Sequence, residues 1–189
     1  MIPPEEQARA DLYGLLARLF YAPPDAALLG AMASHPAAEG ELGSAWHDLS
    51  RAAAAADPNA VREEFESAFI GTGKAPVTLY TTAYAIRYSS EAPLVELRSE
   101  LARLGLGRRD SVHEPEDHIA ALCETMRHLV AGQKSDLEEQ SRFFSRWIHP
   151  TMEPLCNAIE RSDKTAFYKH VARFAKGFCT LEHMAFEML

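Results

Sequence analysis

The strongest constraint on this chain is the return of apolar residues at helical spacing along most of its length. Ala8, Leu12, Leu15, Leu16, Leu19 and Phe20 fall on one face of a 3.6-residue period, and Pro23-Pro24 ends the run. Asp25 is placed to cap a short second helix carrying Leu28, Leu29 and Met32. After a loop over residues 35–43, Trp46 and Leu49 mark the core face of a third. Asp57-Pro58 supplies a cap and a proline at the first helical position, with Val61, Phe65 and Phe69 following as a stripe. Helical reading resumes at Ser90, where Leu94, Leu97, Leu101 and Leu104 form a stripe closed by Gly105. A second loop over residues 106–113 leads to Pro115, which starts a helix with Ile119, Leu122, Met126, Leu129 and Val130, ended by Gly132. Ser135 to Glu138 reads as a capping box ahead of Phe143, Phe144, Trp147 and Ile148. Pro150 opens a helix with Met152, Leu155 and Ile159, and Asp163 opens the last, with Phe167, Val171, Phe174, Phe178 and Leu181. Ala and Leu dominate while Val, Ile and Thr are sparse, which favours helix over strand. The prediction is an all-α fold: a single compact domain over residues 1–189 with about eight or nine helices.

One segment breaks the pattern. Residues 71–90 hold two glycines, a proline and the densest patch of Thr and Tyr, including Tyr80, Tyr84 and Tyr88. A long irregular stretch between helices is commonly functional, and Tyr offers a groove both apolar area and a hydroxyl. The aromatic stripes Phe65/Phe69 and Phe167/Phe174/Phe178 are at core spacing and are expected to pack inside.

The net charge of −8 argues against a nucleic-acid partner and against an anionic membrane surface. Cys123, Cys156 and Cys179 form no Cys-x-x-Cys pair, and each lies among apolar residues as a small core filler. The first residues, Met1-Ile2-Pro3-Pro4-Glu5-Glu6, lack a basic region, and Arg18 interrupts the apolar stretch that follows. No window of about 18 apolar residues occurs. A cytoplasmic protein without a membrane-spanning helix is expected.

The sharpest chemical feature is Glu114-Pro115-Glu116-Asp117-His118. With Pro115 at the first helical position, Glu116 and Asp117 would occupy the first turn, where the helix dipole favours negative charge. Such a carboxylate cluster beside an imidazole can receive an arginine through charge-assisted hydrogen bonds. Ordinary helix capping would leave the same residues. Glu114/His118 and Glu124/His128 are spaced by four, whereas di-iron carboxylate bundles use Glu-x-x-His, so no metal or other cofactor is expected. Gly71-Thr72-Gly73-Lys74 lacks the earlier glycine and the following Ser or Thr of a phosphate loop, since Ala68 and Ala75 stand there. Arg108-Arg109 reads as a solvated pair.

The Glu114-Pro115-x-Asp117-His118 string, followed by an amphipathic helix containing Met126, resembles the signature of the TorD/DmsD/NarJ-like chaperones. So do Glu64-Phe65-x-x-x-Phe69-Ile70-Gly71 followed by Tyr80-Thr81-Thr82-Ala83-Tyr84, the opening run from Leu12 to Phe20, and Phe144-x-x-Trp147-Ile148-x-Pro150. Thr82 stands where the family usually has Ser, and Leu79 where a Pro often precedes the Tyr. The resemblance implies an all-α chaperone, monomeric or a domain-swapped dimer, and not an enzyme. It would bind the twin-arginine leader of a molybdenum-cofactor oxidoreductase precursor, or the body of the apoenzyme, and hold it until export. Glu114, Pro115, Asp117 and His118 would then form the leader-binding region, with Tyr80 and Tyr84 bordering it. The alternative is a small helical hydrolase or metal-dependent enzyme using Asp117 and His118 for acid–base work.

Overall fold

Acidic caps and prolines set most of the helix boundaries in the computed structural model, which describes residues 2–36, 39–71, 75–84, 93–108, 114–132 and 136–188. Helix α1 (Pro4–Tyr21) stops before Pro23-Pro24. Asp25 caps α2 (Ala26–Ser34) by accepting a hydrogen bond from the Leu28 amide at 2.7 Å. Asp57 caps α4 (Pro58–Phe65) through the Asn59 amide, with Pro58 in its first turn. The helix α3 (Gly40–Ala55) starts inside the stretch expected to be loop, so the third helix is longer than its apolar face suggested. Helices α5 (Pro93–Arg103), α6 (Ile119–Ala131), α7 (Leu137–Phe143), α8 (His149–Arg161) and α9 (Phe167–Glu187) complete an all-α fold. Among the described residues the one piece of extended pairing is an isolated antiparallel bridge between Tyr80 and His118.

Two glycines end helical stretches by adopting positive φ, which side-chain-bearing residues resist. Gly105, at φ 72°, closes α5 with the amides of Gly105 and Leu106 bonding back to Ala102 and Leu101, the pattern of a Schellman cap. Gly71, at φ 59°, ends the π-helical turn Glu66–Ile70 that extends α4.

A second π turn, Phe144–Ile148, joins α7 to α8. Proline in a regular helix loses its amide bond and presses on the carbonyl four residues back. Widening the turn ahead of Pro150 relieves that clash, and the Thr151 hydroxyl donates to the carbonyls of Trp147 and Ile148. The expected fresh start at Pro150 is therefore a continuation. The expected capping box also shifts by one residue: Asp136 is the cap, accepting from the Glu139 amide at 2.8 Å, and Ser135 lies outside the described residues.

The chain divides into two compact units. The first comprises Met1–Ala17 and Leu79–Thr151. Its core includes Tyr13, Leu16, Leu122, Cys123, Met126, Phe143, Phe144 and Trp147, all essentially inaccessible. The second comprises Arg18–Thr78 and Met152–Leu189. Here α3 packs on α9, and Phe65, Phe69 and Phe167 surround Tyr168, whose hydroxyl donates to the Leu19 carbonyl at 2.9 Å. The aromatic stripes are core, as expected. All three cysteines are buried, and burial pushes the Cys179 thiol up to about 12 and the Cys156 thiol well above its ordinary range.

The start of α9 departs from the sequence reading. Asp163 does not open it. Glu64, on α4, accepts hydrogen bonds from the backbone amides of Ala166, Phe167 and Tyr168 at 2.9, 3.0 and 2.8 Å. A helix leaves its first amides without internal partners, and a carboxylate suits both those donors and the dipole. Losing a cap costs about 0.5–2 kcal/mol. With three amides served by one side chain, Glu64→Ala is expected at the upper end, about 2 kcal/mol. Glu64→Gln, which keeps one acceptor oxygen, should cost roughly half as much. Urea denaturation of the purified chain measures both values.

Candidate functional site

The acidic string sits at the start of α6, though not inside the helix as its proline suggested. Residues 115–118 form a turn closed by the His118 amide on the Pro115 carbonyl, and the helix begins only at Ile119. His118 is the N-cap, its Nδ1 accepting from the Ala120 amide at 3.2 Å. The physical reason is competition. A strand-like partner claims the backbone of residues 117–119 before helical bonds can form there. The Asp117 carbonyl accepts from both the amide and the hydroxyl of Thr81, at 2.9 and 3.0 Å. The Ile119 amide donates to the Leu79 carbonyl at 2.9 Å.

Side chains reinforce this bridge. The Thr82 hydroxyl donates to Asp117 Oδ2 at 2.5 Å. Asp117 is only 4% exposed and His118 7%, which places both beneath the surface. The Tyr80 ring meets the His118 ring edge-on at 5.5 Å, and its hydroxyl donates to Glu114 Oε2 at 2.5 Å. That hydrogen bond, then burial and the Glu114 and Asp117 charges, pushes the Tyr80 hydroxyl up to about 12. Tyr80 is 37% exposed and Glu114 half-buried, so this pair forms the outer edge of the cluster. Tyr84 closes the short 3-10 turn Thr81–Ala83 with its amide on the Thr81 carbonyl. The structure thus brings Tyr80, Glu114, Asp117 and His118 together, with Tyr84 at the end of the same segment. Tyr88 lies outside the described residues.

Sequence reasoning missed what secures the acidic turn. Glu116 is gripped by Arg98 at 3.1 Å and approached by Arg108 at 3.7 Å, so Arg108 is not merely solvated. Burial alone would raise the Glu116 carboxyl, but its own backbone amide, Arg98 and Arg108 together hold it below the usual range. Arg109 lies outside the described residues. Thr81 and Thr82 were visible beside Tyr80, but only the bridge reveals their role.

Asp117 and His118 do not form an acid–base pair, since their side-chain hydrogen bonds run to Thr82 and Ala120. No group of three or more His, Cys, Asp or Glu among the described residues is arranged to hold a metal ion. No described helix is long and apolar enough to cross a membrane.

Residues 35–180 match the family described as nitrate reductase delta subunit, and the chain belongs to that family, whose members are chaperones of molybdoenzyme maturation. The comparison with curated proteins finds no match.

The buried cap carries a pH signature. Burial holds the His118 imidazole below its ordinary 6.5, against the opposing pull of Glu114 and Asp117. Protonation would also cancel the Nδ1 lone pair that caps α6. The unfolded chain therefore binds a proton more readily than the folded one. Stability is full above pH 6.5 and falls as the pH drops from there toward the folded value. Urea midpoints measured from pH 7.5 to 5 should show this decline. In His118→Asn, which keeps a capping oxygen without a titrating ring, the decline should be shallower.

Proposed function

We propose that this chain is a cytoplasmic maturation chaperone that binds the twin-arginine leader of a molybdenum-cofactor oxidoreductase precursor before export. The observation that carries the reading is the accessible Tyr80–Glu114 pair, mounted on a segment fixed by buried backbone bonds, in a chain of the maturation-chaperone family. Glu114 uses Oε2 for Tyr80, and its other oxygen is the natural acceptor for a guanidinium. In this reading Pro115, next to Glu114, and Tyr84, at the end of the Tyr80 segment, would border the bound leader. Asp117 and His118 belong to this site through the backbone they hold, being too buried to meet a peptide first.

Energetics divide the labour. An exposed ion pair contributes about 0.2–1 kcal/mol, so two arginines cannot retain a leader alone. The apolar run that follows them must supply most of the affinity, at about 25 cal/mol per Å² buried. The charges set register and association rate. The hydrolase or metal-enzyme alternative draws no support from Asp117 and His118, whose hydrogen bonds lead elsewhere.

Titrating a fluorescent twin-arginine leader peptide against the purified chain tests the proposal. Glu114→Gln should weaken binding about two- to fivefold, in line with one exposed ion pair. Asp117→Ala should weaken it further and lower the urea midpoint as well, because it releases Thr82. Absence of binding by the wild-type chain to the leaders of molybdoenzymes encoded beside it would reject the leader as the client.

A further inference from the structure

The acidic turn carries three carboxylates, Glu114, Glu116 and Asp117, and each is engaged differently. Asp117 is buried and takes the Thr82 hydroxyl, while Glu114 stands at the rim under Tyr80. Glu116 is claimed by two guanidinium groups. Arg98 of α5 reaches its Oε2 at 3.1 Å, and Arg108, beyond the end of that helix, approaches its Oε1 at 3.7 Å. Both oxygens of this carboxylate therefore face arginines of the chain itself.

Exposure within this trio is uneven. The Glu116 side chain is 12% exposed, whereas those of Arg98 and Arg108 are 50% and 42% exposed. The carboxylate is covered, and the groups that face it stand half in water. An arginine that swings away needs little further hydration. A carboxylate stripped of both would be left largely buried without a counter-charge, which is costly. Only an incoming cation removes that cost. Helix α5 itself has no need to move. Leu97 and Leu101 are buried, and separate ion pairs hold the helix: Glu96 to Arg146, Glu100 to Arg142 at 3.5 Å, and Arg103 to Glu139 at 3.0 Å.

We propose that Glu116 is a second arginine-binding position of this turn, closed in the free chain by Arg98 and Arg108 and opened by exchange with an arginine of the bound peptide. Glu114 receives one guanidinium at the rim and Glu116 the other, so the turn reads a pair of arginines rather than a single charge. Guanidinium replaces guanidinium on the same carboxylate, with the same planar donors, so the exchange is nearly neutral in energy. A peptide with no cation to offer leaves the internal pair in place. The internal arginines thus act as a filter against wrong peptides. That the incoming pair belongs to a leader rests on the function proposed above, but the exchange at Glu116 does not.

The test titrates a blocked Ala-Arg-Arg-Ala peptide into the full chain and follows the backbone amide resonances of residues 116–118. R98Q/R108Q should bind the peptide at least about threefold more tightly than the wild-type chain, because its competitors are gone. The gain should be lost when E116Q is added, since no receptor is left. R103Q/R142Q removes the same charge from α5 and α7 and should gain less than about 1.5-fold at ordinary ionic strength. If Arg98 and Arg108 only brace the turn, R98Q/R108Q binds equally or more weakly, and that result overturns the proposal. So does a gain that survives E116Q or is matched by R103Q/R142Q. Urea midpoints verify folding, and R98Q alone carries the same prediction if the double variant unfolds. A leader peptide run in parallel separates the two ideas. If the short peptide shows the expected pattern while no leader binds the wild-type chain, the exchange stands and the leader proposal fails.

Discussion

Everything at the candidate site hangs on a backbone exchange between residues 79–81 and 117–119. Leu79 and Asp117 give carbonyls, and Ile119 and Thr81 give amides, so two segments far apart in sequence become one short ribbon. Each bond alone contributes about 1 kcal/mol net. Their joint effect is larger than their energy, because they decide where α6 starts. The ribbon occupies the backbone that a proline-initiated helix would have used. His118 is thereby left with non-helical backbone, the geometry of a cap, with its ring turned back onto the Ala120 amide. Asp117 becomes an internal acceptor, and Glu114 is left at the rim under Tyr80. Burial of the carboxylate, exposure of its neighbour and the position of the tyrosine all follow from one strand-like contact in a helical protein.

The two compact units solve the same problem by different means. In the first, the irregular segment is anchored by backbone pairing and by threonine hydroxyls. In the second, Glu64 reaches across to the bare amides of α9 and does for a helix terminus what the ribbon does for a loop. Both use a carboxylate to absorb donors that the backbone cannot satisfy itself.

Much of this architecture was legible in the sequence because helices advertise themselves locally. The apolar spacing of α1, the Asp25 and Asp57 caps, and Gly105 all act within a turn or two of their own positions. What escaped were the long-range substitutions. Nothing near Asp163 says that Glu64 will cap α9, and nothing near Pro115 says that residues 79–81 will delay α6. The site was half readable for the same reason. Tyr80, Glu114, Asp117 and His118 could be picked out by type, but which would be buried and which exposed depended on a partner more than thirty residues away.

The Glu64 cap also bears on the order in which the molecule can be assembled as it is synthesised. About a hundred residues separate the carboxylate from the amides it serves. Most of the first unit is translated in between, as the continuous stretch Leu79–Thr151 joined by the N-terminal Met1–Ala17. That unit holds all of its parts while α9 is still inside the ribosome. The second must wait for the end of the chain, with Phe65 and Phe69 lacking Tyr168 until then. A nascent chain that has emerged as far as about residue 150 thus carries one finished half and one open aromatic surface, the state most exposed to wrong association.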